Sequence, residues 1–230
     1  MQNIIEFKNL YKSYYLENQV EIPILKGINL NIKKNEFVAI MGESGCGKST
    51  LLNIIGFLHP LTSGEYFFDG DNISSIKDDE TLSFIRNKKI GFIFQQFYLL
   101  PRLNSIENVC LPAIYAGTLG KQREDKAIKL LEKVSLSHRL NSYPGEMSGG
   151  EQQRIAIARA LINDPDILLA DEPTGNLDSK TTLEIMNLIA ELKKAGKTII
   201  MVTHAKDVAL FADRIILLKD GKVENDNFKF

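Results

Sequence analysis

Apolar and polar residues alternate strictly through Ile28-Asn29-Leu30-Asn31-Ile32-Lys33, the spacing of a strand with one face on a core. Tyr66-Phe67-Phe68, followed by Asp69-Gly70, predicts an aromatic strand that ends in a turn. Between Ser105 and Leu140 the rhythm changes. There Ala127, Leu130, Leu131 and Val134 recur at helical spacing among charged residues. Beyond Gly150 the pattern alternates between helix over 152–162, strand over 167–170, helix over 180–194 and strand over 198–203, the order expected of a parallel sheet. Ile185, Leu188, Ile189 and Leu192 form the expected buried stripe of the later helix, and Gly196 stands where its C-cap belongs. A closing hairpin is predicted from Arg214-Ile215-Ile216-Leu217-Leu218-Lys219, through Asp220-Gly221, to Lys222-Val223-Glu224.

At 230 residues the chain suits one large domain, or one domain with a small inserted lobe. Lys and Arg total 28 against 29 for Asp and Glu, so the net charge of −1 gives no overall attraction for nucleic acid. No uncharged apolar run is long enough to span a bilayer, and Met1-Gln2-Asn3-Ile4-Ile5-Glu6 does not read as a leader. The two cysteines, Cys46 and Cys110, suggest a reducing compartment because one of them lies inside a glycine-rich loop.

That loop carries the strongest chemistry. Gly42-Glu43-Ser44-Gly45-Cys46-Gly47-Lys48-Ser49-Thr50 fits GxxxxGK[ST], with a buried strand (36–41) running in and a helix from Ser49 running out. Glycines let backbone N–H groups face phosphates, Lys48 can reach the β and γ phosphates, and the Ser49 hydroxyl can ligate Mg²⁺. Cys46 sits among these donors, as a reactive thiol or a small filler. A second motif, Ile167-Leu168-Leu169-Ala170-Asp171-Glu172, delivers two carboxylates at the end of an apolar strand, where parallel sheets bind ligands. Asp171 suits the metal, and Glu172 suits polarising an attacking water.

Met147-Ser148-Gly149-Gly150-Glu151-Gln152-Gln153-Arg154 opens a further helix about a hundred residues after the loop. With it the chain resembles the ATP-binding cassette family, whose signature begins with Leu and continues with Gln where Met147 and Glu151 stand here. The resemblance runs from Tyr14 to about Gly221. Within the family, Phe94-Gln95-Gln96-Phe97, Glu107-Asn108-Val109 and Pro173-Thr174-Gly175-Asn176-Leu177-Asp178 look like the ATPases of lipoprotein-releasing and macrolide-exporter systems.

The resemblance implies an α/β fold: a P-loop NTPase core with a mainly parallel sheet, an N-terminal antiparallel β subdomain and an inserted α-helical subdomain. It implies one nucleotide-binding domain over 1–230, with the core at about 1–95 and 152–230 and the helical lobe at about 96–151. Tyr14, beside Tyr15, is placed to stack on adenine. Gln95, beside Gln96, matches the glutamine that senses Mg²⁺, and Asp178 matches a loop that contacts the partner, although an Asp there also caps a helix. His204 matches the histidine of the γ-phosphate. ATP and Mg²⁺ are the implied cofactors. The implied partners are a second copy, whose Ser148, Gly149 and Gly150 would complete each ATP site, and integral membrane permease-type subunits; the apolar side chains at 97–103 suit either a groove that receives such a subunit or packing inside the helical lobe. No nucleic acid is expected. The implied activity is Mg-dependent ATP hydrolysis on the cytoplasmic face of the cell membrane. A soluble family member acting on nucleic acid or ribosomes is the alternative, but the short interval from Gln95 to Met147 and the single phosphate loop do not match its usual layouts.

Overall fold

The computed structural model describes residues 2–15, 20–76 and 78–228. In chain order its first elements are β1 (Asn3–Tyr15), β2 (Glu21–Lys33), β3 (Phe37–Met41), α1 (Lys48–Ile55), β4 (Ser63–Phe68), β5 (Asp71–Asn72), α2 (Asp79–Lys89) and β6 (Ile90–Phe94). There follow α3 (Ser105–Tyr115), α4 (Gly120–Lys133), α5 (Gly149–Leu161), β7 (Ile167–Asp171), α6 (Ser179–Lys194), β8 (Thr198–Val202), α7 (Lys206–Ala209), β9 (Arg214–Lys219) and β10 (Lys222–Asp226). The chain divides into two compact units, one of residues up to Ser83 with Thr198 onward, the other Phe84–Lys197.

The first unit holds an antiparallel sheet and a parallel one. β1 pairs with β2 on one side and β4 on the other, and β5 extends the β4 edge. Along β2 the alternation read from sequence is realised: Ile28, Leu30 and Ile32 are buried while Asn29 and Asn31 face out. The parallel sheet places β3 between β8 and β9, with β10 antiparallel on β9. All five residues of β3 and of β8 are buried, as expected for parallel strands covered on both faces. Helix α1 buries Leu51, Leu52, Ile54 and Ile55. Its C-terminal carbonyl, Ile55 O, accepts from the Tyr66 hydroxyl at 2.9 Å, and Tyr66 rests between the rings of Phe7 and Phe57.

In the second unit β6 and β7 are parallel neighbours, so Phe94 lies opposite Asp171 and both strands end together. Helices α3, α4 and α5 pack on one another, and α5 also packs on β6. That approach depends on Gly91, where a Cβ would stand 2.3 Å from the Ala160 carbonyl oxygen. Asn104 and Glu107 form a reciprocal capping box at the start of α3. The α5 helix starts three residues before the periodicity suggests, because Ser148 caps it from outside the apolar pattern. In α6, Met186 joins Ile185 and Ile189 in the core, and Leu188 and Leu192 are half-buried. Among the described residues no helix is long and apolar enough to cross a membrane.

Candidate functional site

The cradle between β3 and α1 is shaped by left-handed backbone. Gly45 and Gly47 have φ of 80° and 104°, values that side-chain-bearing residues rarely adopt. Gly42 is required by space as well, since a Cβ there would lie 2.1 Å from the Leu218 carbonyl oxygen. Lys48 folds back over the loop and donates to Gly42 O at 2.8 Å and Glu43 O at 2.7 Å. The loop itself therefore fixes the ammonium group. Glu43, Ser44, Gly45 and Ser49 are exposed, Thr50 is half-buried, and Cys46 is buried with its sulfur 4.0 Å from the Lys48 nitrogen. A cleft of about 240 Å³ runs along Glu43, Ser44, Gly45 and Cys46, with Ile24 and Gly221 opposite.

Two other predicted residues of the first unit, Tyr14 and His204, lie on or just after strands of the sheets around this loop and do not line that cleft. Tyr14 pairs with Ile22 near the end of β1, and Leu25 and Ile24, further along β2, are the side chains nearest a Cβ built on Gly47. The Tyr14 hydroxyl shares a 2.7 Å hydrogen bond with His59 Nδ1, and the Lys12 ammonium sits 4.9 Å from its ring centre. His204 follows β8, which pairs with β3 through Ile40 and Val202, so it leaves the sheet at the same end as Gly42. It is exposed, and its backbone neighbours are fixed by Thr203, whose N–H donates to Ile40 O at 3.2 Å and whose hydroxyl accepts from Ala205 N at 3.1 Å.

The second unit gathers the remaining predicted residues around the ends of β6 and β7. Asp171 closes β7 and Glu172 follows with φ of 47°, a left-handed bend at a non-glycine residue; both are half-buried. Gln95 donates to Asn176 Oδ1 at 3.2 Å, and Asn176 returns a bond to Gln95 O at 3.1 Å. Gln96 is exposed. A Cβ on Gly175 would meet the Gln95 carboxamide nitrogen at 2.6 Å, so glycine there leaves room for that side chain. Asp178 caps α6: its carboxylate accepts from the Thr181 N–H at 3.0 Å and hydroxyl at 2.6 Å, which together hold its pKa below the usual range.

Ser148 caps α5 in a reciprocal box with Glu151. The Glu151 carboxylate accepts from Ser148 N at 2.9 Å and its hydroxyl at 3.0 Å, and from Arg139 Nε at 2.8 Å. The Ser148 amide, and after it Arg139, lower the Glu151 pKa, so the departure from the family's Gln puts a compensated negative charge at this helix start. Gly149 and Gly150 allow a tight approach to the next segment: a Cβ on Gly150 would stand 2.5 Å from a Thr181 methyl group.

Three residues to which the sequence assigns no role organise the same unit. Gln153, fully buried in α5, donates to Pro173 O at 2.5 Å and Phe94 O at 3.4 Å. Arg159 donates to Phe97 O at 2.6 Å and Tyr98 O at 2.5 Å, holding two consecutive residues with positive φ. Asn108 donates to Leu100 O, Leu103 O and Asn104 O and accepts from Leu100 N. A signal existed for Gln153. It falls on the helical stripe of Ala156, Ile157 and Ala160, all buried, where a polar side chain is out of pattern.

A strand, glycine cradle and helix holding a lysine over the loop, with a paired Asp-Glu ending another parallel strand, define a nucleoside-triphosphate-binding protein. Residues 25–175 match the family model described as ABC transporter. The chain is 52% identical over 226 residues to the macrolide export ATP-binding/permease protein MacB of Chlorobaculum tepidum, covering 98% of this chain and 34% of that protein. It is 50% identical over 220 residues to the ABC transporter ATP-binding protein YknY of Bacillus subtilis, covering 96% of this chain and 95% of the relative. Among solved structures, a dimeric post-hydrolysis state of the ATP-binding cassette MJ0796, bound to ADP and Pi, superposes with a TM-score of 0.88 at 48% identity, over 98% of this chain and 100% of that one. A relative of the same name, MJ0796, comes from Methanocaldococcus jannaschii. The chain belongs to the ABC transporter family, and its α/β fold with parallel and antiparallel sheets is that of the family's cassettes. It spans about a third of the length of the macrolide-export relatives.

Proposed function

We propose that the chain is the ATP-binding and ATP-hydrolysing subunit of an ABC transporter or mechanotransmission complex, which drives membrane subunits through ATP-dependent dimerisation. The observation that carries this reading is the cradle, with Lys48 fixed by Gly42 and Glu43 carbonyls at the end of a fully buried strand. The cassette MJ0796, similar along its whole length, is described as dimeric and bound to ADP and Pi, which supports both hydrolysis and pairing. The macrolide-export relatives join an ATP-binding part to a permease by name, which supports a permease as partner and a place on the cytoplasmic face of the membrane.

In this reading Gly42, Glu43, Ser44, Gly45, Cys46, Gly47, Lys48, Ser49 and Thr50 wrap the phosphates, and Tyr14 stacks on adenine. Glu172 polarises the attacking water and His204 contacts the γ-phosphate. Ser148, Gly149, Gly150 and Asp178 serve the nucleotide held by the second copy. Among the described residues no three His, Cys, Asp or Glu side chains converge as a metal cluster. The hydroxyl, carboxamide and carboxylate oxygens of Ser49, Gln95 and Asp171 suit Mg²⁺, a hard cation that keeps water and phosphate oxygens as most of its ligands and needs few from protein. Ser49, Gln95 and Asp171 would hold it, and when bound it would neutralise developing phosphate charge. The core comprises about 1–95 and 152–230, with a helical lobe at about 96–151. Exposed Tyr98 and Leu100 on that lobe supply an apolar surface for a permease segment.

Glu172→Gln tests the reading. It should retain ATP binding, slow hydrolysis by roughly 10²- to 10⁴-fold and elute as a dimer only with MgATP in size-exclusion chromatography. Near-native turnover would remove Glu172 as the base. A monomer with full activity at high dilution would remove the two-copy site.

A further inference from the structure

The carboxamide of Gln153 touches both strand ends that carry the proposed chemistry. Its nitrogen donates to Pro173 O, one residue after Glu172, and to Phe94 O, one residue before Gln95. Phe94 lies opposite Asp171 in the β6–β7 register, so one amide group ties the two exits of this strand pair. The same helix grips the stretch beyond Gln95 through Arg159, which donates to Phe97 O and Tyr98 O. Its first turn is Gly149 and Gly150, capped by Ser148.

The other end of the Gln153 side chain gives the contrast that matters. Its Oε1 is buried and has no hydrogen-bond partner. A buried acceptor without a donor opposes folding, so a glutamine here is a poor choice for stability alone. Leucine would remove that unmatched acceptor at the cost of taking the donor from Pro173 O and leaving Phe94 O with the Phe97 N–H. These changes act in opposite directions on stability. They act in one direction on geometry, because the amide nitrogen ties the turn after Glu172 to the β6 exit, a link that the turn's own Gly175 N–H to Glu172 O bond does not make, and Glu172 stands there at positive φ.

We propose that Gln153 is a positioning residue for hydrolysis: from α5 it sets the Glu172-Pro173 turn against the end of β6, without touching nucleotide. The proposal rests on Glu172 being the base. The helix that carries Gln153 is the one that Ser148 caps.

The test compares wild type, Gln153→Leu and Gln153→Met by steady-state MgATP hydrolysis, affinity for a slowly hydrolysed ATP analogue and thermal unfolding. The expected result is a kcat lower by about 10- to 100-fold, the loss that a small misplacement of a catalytic group produces. KM and analogue affinity should stay within about twofold, and Tm within about 3 °C, corresponding to no more than about 1 kcal/mol. If the leucine variant does not fold, the methionine variant carries the test. Failure of both to fold, or a large fall in Tm in both, overturns the proposal by making Gln153 an ordinary structural bolt. So does an unchanged kcat in a folded variant, or a raised KM with kcat unchanged. A wild-type protein without turnover rejects the hydrolysis reading and this inference together; an active wild type with unaffected variants rejects the inference alone.

Discussion

Adding one methyl group at Gly91 tests how closely α5 must lie on β6. A Cβ there would stand 2.3 Å from the Ala160 carbonyl oxygen, 3.0 Å from its carbonyl carbon and 2.8 Å from Leu168 Cδ2. The first contact is backbone, which cannot rotate away as a side chain can. Nonbonded heavy atoms settle near about 3.5 Å, so Gly91→Ala requires α5 to recede by roughly 1 Å. Overpacking of this kind costs about 1 to 3 kcal/mol, and each kcal/mol lowers Tm by about 2 to 4 °C in a chain of this size. The expected fall is therefore about 2 to 12 °C in thermal unfolding. Hydrolysis should fall with it, because Gln153 and Arg159 ride on the displaced helix. Gly120→Ala is the matched control, since a Cβ there meets nothing within 4 Å, and it should be neutral or slightly stabilising. A Gly91→Ala protein that melts with wild type and keeps full turnover would mean that α5 does not need this close an approach to β6.

Lys48→Ala should weaken binding of an ATP analogue by well over about tenfold in calorimetry, because a charge-assisted contact to phosphate is lost; unchanged affinity would count against the cradle. Gly175→Ala should displace the Gln95 carboxamide, the flexible atom that a Cβ would meet at 2.6 Å, and so lower kcat by about 3- to 10-fold with Tm unchanged. Glu151 has a folded-state pKa below its ordinary 4.5, so its stabilisation is complete above that value and is lost as pH falls through the lowered one. Glu151→Gln should accordingly shrink the drop in urea midpoint between pH 7 and pH 3; an undiminished drop would assign the acid sensitivity to other carboxylates.

Whatever is contiguous or strictly periodic is legible in the sequence. The cradle, the Asp171-Glu172 strand end and the buried runs of β3 and β8 are each specified within a few neighbouring residues, and the structure forms those strands and that loop. Strand β1 is harder to see. Its thirteen residues break the two-residue period at several register shifts, one of them beside Asn9 at φ 48°. Helix α2 gives no apolar stripe because none of its described residues is buried. Arg159 and Asn108 are invisible as organisers of the second unit for another reason, and Gln153 shows only as a polar residue on an apolar stripe: what they bind is main-chain carbonyls, some about 60 residues away, and a carbonyl looks alike in every residue. Asp178 shows the converse. Its capping role follows from local spacing, and the structure forms that cap.

The way Lys48 is tethered has a kinetic consequence. An ammonium group carries three protons, and two are committed to the Gly42 and Glu43 carbonyls. The third faces the Cys46 sulfur at 4.0 Å, so the loop holds the ammonium inward on all three sides. Gripping a triphosphate then means exchanging loop acceptors for phosphate oxygens within one pre-shaped cradle, so differences in affinity among nucleotides should appear mainly in how long each one stays.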